Sequence, residues 1–108
     1  GGIDIAQPDI GRLGITEGMR VTTLCGAAGI PSAPHIGSGL APYTASALQV
    51  AATTERLFLL EFQPTQIDVS DEYFTPSIRP REGAYHLSDL PGLGVEPIME
   101  KIAPHVFS

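Results

Sequence analysis

The apolar positions fall into two periods that take turns along the first sixty residues. Ile3-Asp4-Ile5-Ala6 alternates with the period of a strand and stops at Pro8, so that Asp9 enters a loop. Gly11 and Gly14 loosen that loop, and Thr16 is suited to cap a helix. Val21, Leu24, Cys25 and Ala28 then recur at helical spacing as one apolar stripe, with Gly29 where a helix C′ residue belongs. The pattern repeats: Ile30 to His35 forms a second short strand, Ile36-Gly37-Ser38-Gly39 a loop, and Leu40 to about Thr53 a helix. In that helix Pro42 suits the first turn, and Leu40, Tyr43, Ala47 and Val50 form the buried face. Leu57-Phe58-Leu59-Leu60-Glu61-Phe62 is apolar almost throughout, as expected of a strand covered on both faces.

This order predicts an α/β fold with right-handed crossovers and a parallel sheet. Asp9 and His35 stand 26 positions apart, as do His35 and Glu61, and each ends its own predicted strand. In a parallel α/β barrel the C-terminal strand ends form the rim that carries chemistry, so the three ionisable groups are expected at one mouth. After Pro64 the repeat ceases. An irregular loop is expected from 65 to about 76, then a hairpin from Ile78 to Leu87 turning at Glu82-Gly83. A rigid turn at Pro91-Gly92-Leu93-Gly94-Val95 and a short helix over 97–103 complete the tail. The division expected is 1–65 for the βα repeat and 66–108 for the tail.

Three strands do not close a barrel, which needs about eight. The missing initiator Met and the immediate strand-like start predict a chain entered in mid-fold, with the remaining strands upstream on the same polypeptide. A complete small three-stranded domain is the alternative.

Composition narrows the chemistry. With 6 Lys+Arg against 12 Asp+Glu and a net charge of −6, the chain lacks the basic footprint of a nucleic-acid binder. Apolar runs are too short to span a bilayer, and the single cysteine, Cys25, allows no internal disulfide. A cytoplasmic protein is expected, with no nucleic-acid and no membrane partner.

His35 is the candidate general acid/base, because imidazole titrates near neutrality. Asp9 is placed to accept a hydrogen bond from it, and an Asp before Gly11 also suits a turn or cap. Glu61 ends an apolar strand, where a carboxylate needs partners; a structural ion pair with Arg12 or Arg56 is the alternative. Cys25 is expected in the core, while His86 and His105 lack a paired carboxylate pattern. Asp68, Asp71 and Glu72 match no Ca²⁺ loop signature. Gly37-Ser38-Gly39, ahead of a helix, could contact an anionic or hydroxyl group of a substrate through backbone N–H groups.

In order and spacing, Ile3 to Asp9, Gly14-Ile15-Thr16-Glu17-Gly18, Gly29 to His35, Leu59-Leu60-Glu61 and Asp89 to Val95 resemble the last third of the mandelate racemase/muconate lactonizing enzyme-like group of the enolase superfamily. The resemblance implies the sixth to eighth strands of a modified (β/α) barrel, with a tail running back to an α+β capping domain that this chain lacks. It implies Mg²⁺-dependent abstraction of the proton α to a carboxylate, with His35 and Asp9 as the acid/base dyad and Glu61 on the substrate carboxylate or its enolic form. The Mg²⁺ ligands and a lysine motif belong upstream; Lys101, the only lysine, matches no such motif. The expected partners are a sugar-acid substrate, the rest of the barrel, the capping domain and further copies of the chain as a homo-oligomer. Overall resemblance to acid-sugar dehydratases favours dehydration, with racemisation or epimerisation as the alternative. This chain alone is expected to be inactive, and a non-catalytic fragment or assembly module is the reading of another class.

Overall fold

Prolines decide how the first half pairs. In the computed structural model, which describes residues 1–106, three extended segments run parallel and meet at isolated bridges: Ala6 with Ser32, Asp9 with His35, and Ser32 with Leu57. The hydrogen bonds of the pairing are in place, from Ala6 N to Pro31 O at 2.9 Å, Ala33 N to Ala6 O at 2.8 Å, His35 N to Pro8 O at 3.1 Å and Phe58 N to Ser32 O at 2.8 Å. Pro8, Pro31 and Pro34 supply no N–H, so the expected strands are reduced to a broken ladder. The middle segment still aligns Asp9 with His35, and that alignment matters for the site.

Between the extended segments lie three helices, α1 (Ile10–Leu13), α2 (Ile15–Ala27) and α3 (Ala41–Thr53), which contact one another pairwise. The expected flexible loop at Gly11 is instead the short helix α1, capped by the Asp9 side chain on the Arg12 N–H, with Ile10 fully buried. Gly14, at φ 78°, takes the N-cap of α2 in place of Thr16, because α1 ends one residue before it. Gly29, at φ 76°, closes α2 as expected, and Ile30 N reaches back to Cys25 O at 2.8 Å.

The predicted stripe of α2 is corrected by the structure. Leu24 is 71% exposed and Ala28 is exposed, while Gly18 and Thr22 are the buried positions. Gly18 faces inward because its missing side chain admits Ile10; a Cβ there would stand 2.6 Å from Ile10 Cδ1. Cys25 is half-buried and lies outside the core cluster. The core consists of Ile10, Ile36, Ala47 and Val50, with Met19, Tyr43 and Leu60 packed against it. Each such large aliphatic side chain contributes about 1.5–3 kcal/mol by leaving water. The buried face expected of α3 is present in Ala47 and Val50, widened by Ala41, Thr44, Ala45 and Ala51.

The third segment departs from its expected burial. Phe58, Leu59 and Phe62 are 61%, 48% and 47% exposed, since among the described residues its far side has no neighbouring strand. They border an open groove of about 940 Å³ together with Leu48, Tyr85 and Leu87.

The expected loop after residue 65 is a helix, α4 (Pro64–Tyr73). Pro64 begins it, and Ile67 and Ser70 are buried one turn apart. Its acidic residues Asp68 and Asp71 both receive the Arg79 guanidinium, at 2.5 and 3.2 Å. The predicted hairpin shrinks to its turn: Arg81 bridges Ala84 across Glu82 and Gly83, both at positive φ as a two-residue hairpin loop requires. A two-residue antiparallel pair, β1 (Phe74–Thr75) with β2 (Glu96–Pro97), ties α4 to the chain end. There the expected short helix is α5 (Met99–Ile102), continued by a 3₁₀ turn (Ala103–His105). No helix among the described residues is long and apolar enough to cross a membrane.

Candidate functional site

The bridge between Asp9 and His35 sets two ionisable side chains beside each other at the ends of adjacent extended segments. Asp9 Oδ2 lies 3.0 Å from His35 Nδ1. Asp9 is also the cap of α1, so its carboxylate is held by local structure while it holds the imidazole. Both roles considered from the sequence apply together. Its other oxygen, Oδ1, accepts the Arg12 N–H at 3.1 Å and the Tyr43 hydroxyl. Arg12 Nε stands 3.4 Å from Oδ2 on an exposed side chain, a contact that contributes little in solvent.

Partial burial pushes the Asp9 carboxyl up, but the hydrogen bonds from Tyr43, His35 and the Arg12 backbone outweigh it and leave the group below the ordinary carboxylate value. An ionised Asp9 only accepts, so the hydrogen atom between it and the imidazole belongs to Nδ1. The lone pair is thereby directed to Nε2, on the side of the ring facing Glu61, whose Oε2 is 3.9 Å away. The imidazole side chain is 45% exposed and the Asp9 side chain 18%, so the base is reachable and its partner is sheltered.

Glu61 is placed by the backbone of the neighbouring segment. Ile36 N donates to Oε2 at 2.7 Å and Gln63 Nε2 to Oε1 at 3.0 Å. Tyr85 donates to the Glu61 carbonyl at 3.3 Å, and burial, followed by the Glu61 charge, pushes its phenol up. The alternative ion pair of Glu61 with Arg12 or Arg56 does not occur among the described residues. Asp9, His35 and Glu61, the three residues singled out from the sequence, thus lie in a row with the imidazole between the two carboxylates.

Beside them opens a polar cavity of about 340 Å³ lined by Arg12, His35, Ser38, Tyr43, Gln63 and Gln66. Tyr43, Gln63 and Gln66 have no place in the sequence-based site. Tyr43 reads as part of an apolar helix face, Gln66 falls in what reads as a loop, and Gln63 lies just past the last predicted strand. Pro64 at a helix start, with Ile67 and Ser70 one turn apart, is the signal for α4 and hence for Gln63 and Gln66. His86 borders the apolar groove instead, and His105 packs edge-on to Tyr73 at 5.6 Å. Among the described residues no group of three or more His, Cys, Asp or Glu side chains has an arrangement that could hold a metal ion.

Comparison with known proteins bears on this geometry. A family model described as enolase C-terminal domain-like matches residues 1–101. A solved member of the enolase superfamily from Agrobacterium tumefaciens is 35% identical with a TM-score of 0.86, over 94% of this chain and 26% of that one. A protein from Mesorhizobium loti, provisionally described as a dehydratase, is 26% identical with a TM-score of 0.84, over 96% of this chain and 28% of its own. A third, from Burkholderia xenovorans, is provisionally described as an L-alanine-DL-glutamate epimerase and its structure holds magnesium and fumarate. It is 27% identical with a TM-score of 0.84, over 94% of this chain and 25% of its own. The chain thus spans about a quarter of the length of these solved relatives. No protein of curated description matches it.

Proposed function

Because this chain belongs to the enolase C-terminal domain-like family of the enolase superfamily, we propose that it supplies the acid/base side of an active site that removes the proton α to a carboxylate, most specifically in the dehydration of a sugar acid. The observation that carries this reading is the 3.0 Å contact of His35 Nδ1 with Asp9 Oδ2, which leaves Nε2 free at the cavity.

His35 Nε2, bearing the lone pair, takes a proton as general base. The imidazolium so formed is stabilised by Asp9 on one side and faces Glu61 on the other. In dehydration the α C–H bond breaks and its electron pair becomes the enolate. The β C–O bond then breaks as an imidazolium proton passes to the departing hydroxyl, water leaves, and the enol tautomerises to a 2-keto acid. Glu61, held by the Ile36 N–H and Gln63, has the position to hydrogen-bond a protonated oxygen of the substrate or its enolic form. The polar lining from Ser38, Gln63 and Gln66 suits a hydroxylated chain better than an apolar one. Any magnesium this enzyme uses would be held by the rest of its barrel.

A relative described as an epimerase, 27% identical, favours a second reading in which the proton returns to the opposite face without loss of water. Both are tested by α-proton exchange in D₂O with Mg²⁺ across a panel of acid sugars, using the full-length protein and its His35→Ala variant. A 2-keto product that vanishes in the variant supports dehydration; an inverted stereocentre that vanishes supports epimerisation. Exchange untouched by the substitution removes His35 from the mechanism. A parent inactive on the whole panel moves the reading to a non-catalytic assembly module.

A further inference from the structure

Three glycines near the dyad are unexplained by backbone conformation: Gly11, Gly37 and Gly39 are absent from the positive-φ positions of the chain. What they share is Tyr43. A Cβ on Gly11 or on Gly39 would overlap the Tyr43 side chain, within 2.0–2.4 Å of its atoms, and one on Gly37 would lie 3.0 Å from its hydroxyl oxygen and 3.3 Å from His35 Cε1. Backbone from α1 and from the loop before α3 thus makes a slot for one aromatic ring. The hydroxyl at the end of that ring donates to Asp9 Oδ1, the oxygen opposite the one that His35 uses.

We propose that Tyr43 is a positioning residue for the acid/base dyad: clamped between Gly11 and Gly39, it fixes the rotation of the Asp9 carboxylate and thereby the tautomer and direction of His35. This rests on the dyad reading above. A carboxylate turns about one bond, and the α1 cap holds only one of its oxygens. The phenol on that same oxygen leaves Oδ2 no orientation other than towards Nδ1. It also draws negative charge from the carboxylate, which weakens the pull of Asp9 on an imidazolium proton. The groups facing the imidazole are Asp9 and Glu61, and those facing Asp9 are Arg12, Tyr43 and His35. Burial, together with the bond to Asp9, pushes the Tyr43 phenol above its ordinary value, so it remains a donor through the working range of a histidine.

Tyr43→Phe keeps the ring in its slot and removes only the donor. In full-length protein carrying ¹⁵N-labelled histidine, with the His35 signals identified by their loss in His35→Ala, the parent should show neutral His35 as the Nδ1–H tautomer. In Tyr43→Phe the share of the Nε2–H tautomer should rise, because the Asp9 carboxylate is free to turn Oδ2 away from Nδ1. Exchange turnover should fall about tenfold through lost orientation, with KM within about twofold. Gly39→Ala, which drives a methyl group against the ring, should reproduce the change of tautomer. Gly26→Ala, whose Cβ meets nothing within 4 Å, should not. A tautomer unmoved in both Tyr43→Phe and Gly39→Ala overturns the proposal, and this reading needs no turnover. Loss of exchange in His35→Ala with full exchange in Tyr43→Phe overturns it while leaving the dyad intact. Exchange retained in His35→Ala overturns the dyad reading itself.

Discussion

Replacing Asp9 by Asn separates the two tasks of this residue, because the surrounding donors dictate how the amide must sit. Oδ1 receives two donors, the Arg12 N–H and the Tyr43 hydroxyl, whereas Oδ2 receives one, from His35. The amide oxygen therefore takes the Oδ1 place, and the NH₂ group turns towards His35 Nδ1. Two donors cannot share a hydrogen bond, so the imidazole must move its own proton to Nε2 and lose the lone pair that faces the cavity. The same change in the serine protease triad, where an Asp→Asn substitution imposes the wrong tautomer, lowers turnover by about 10⁴. A comparable loss of about 10³–10⁴ is expected here, or about 4–5.5 kcal/mol of transition-state stabilisation. Folding should respond far less. Asn caps helices about as well as Asp, so the loss is limited to charge-assisted bonding and amounts to about 2 kcal/mol at most. The assay pairs α-proton exchange by the full-length protein with thermal unfolding and with the ¹⁵N shifts of His35. Turnover within tenfold of the parent, or an Nδ1–H tautomer that persists in Asp9→Asn, would refute the reasoning. So would a loss of turnover that merely follows unfolding.

Further outcomes follow from individual positions. Asp9 has a folded-state pKa below its unfolded one, so its stabilisation is present above the unfolded carboxylate value near 4 and is lost as pH falls through the depressed folded value. Stability should therefore drop less steeply in Asp9→Asn than in the parent over the acid range below about pH 4, as read by urea unfolding at stepped pH. Two glycines of α2 should respond in opposite directions. Gly26→Ala, with open space around its Cβ, should stabilise by about 0.5–1 kcal/mol through helix propensity. Gly18→Ala, which would press on Ile10 Cδ1, should destabilise by about 1–2 kcal/mol net of that gain. Denaturant midpoints decide both, and equal shifts in the two variants would contradict the packing described for Gly18.

The sequence by itself located α2, α3 and the extended segments beside them, and drew Asp9, His35 and Glu61 together, because those depend on local and repeating features. Apolar spacing located α2 and α3, Gly29 marked a helix end, and equal intervals brought Asp9, His35 and Glu61 to the ends of successive segments. Tertiary structure decided what depends on neighbours distant in the chain. Leu24 reads as core yet lies exposed, since Gly18 is the place where α1 can approach α2 closely enough to pack Ile10. Helix α4 reads as a loop because its polar residues hide the period; it is anchored by burial of Ile67 and Ser70, with Arg79 on its acidic side. Tyr43 is the plainest case. Its place on an apolar helix face is legible from spacing, but its ring direction follows from room left by Gly11 and Gly39, residues of other segments. Periodicity fixes which way a residue faces within its own element; only packing between elements fixes which polar atom its side chain reaches.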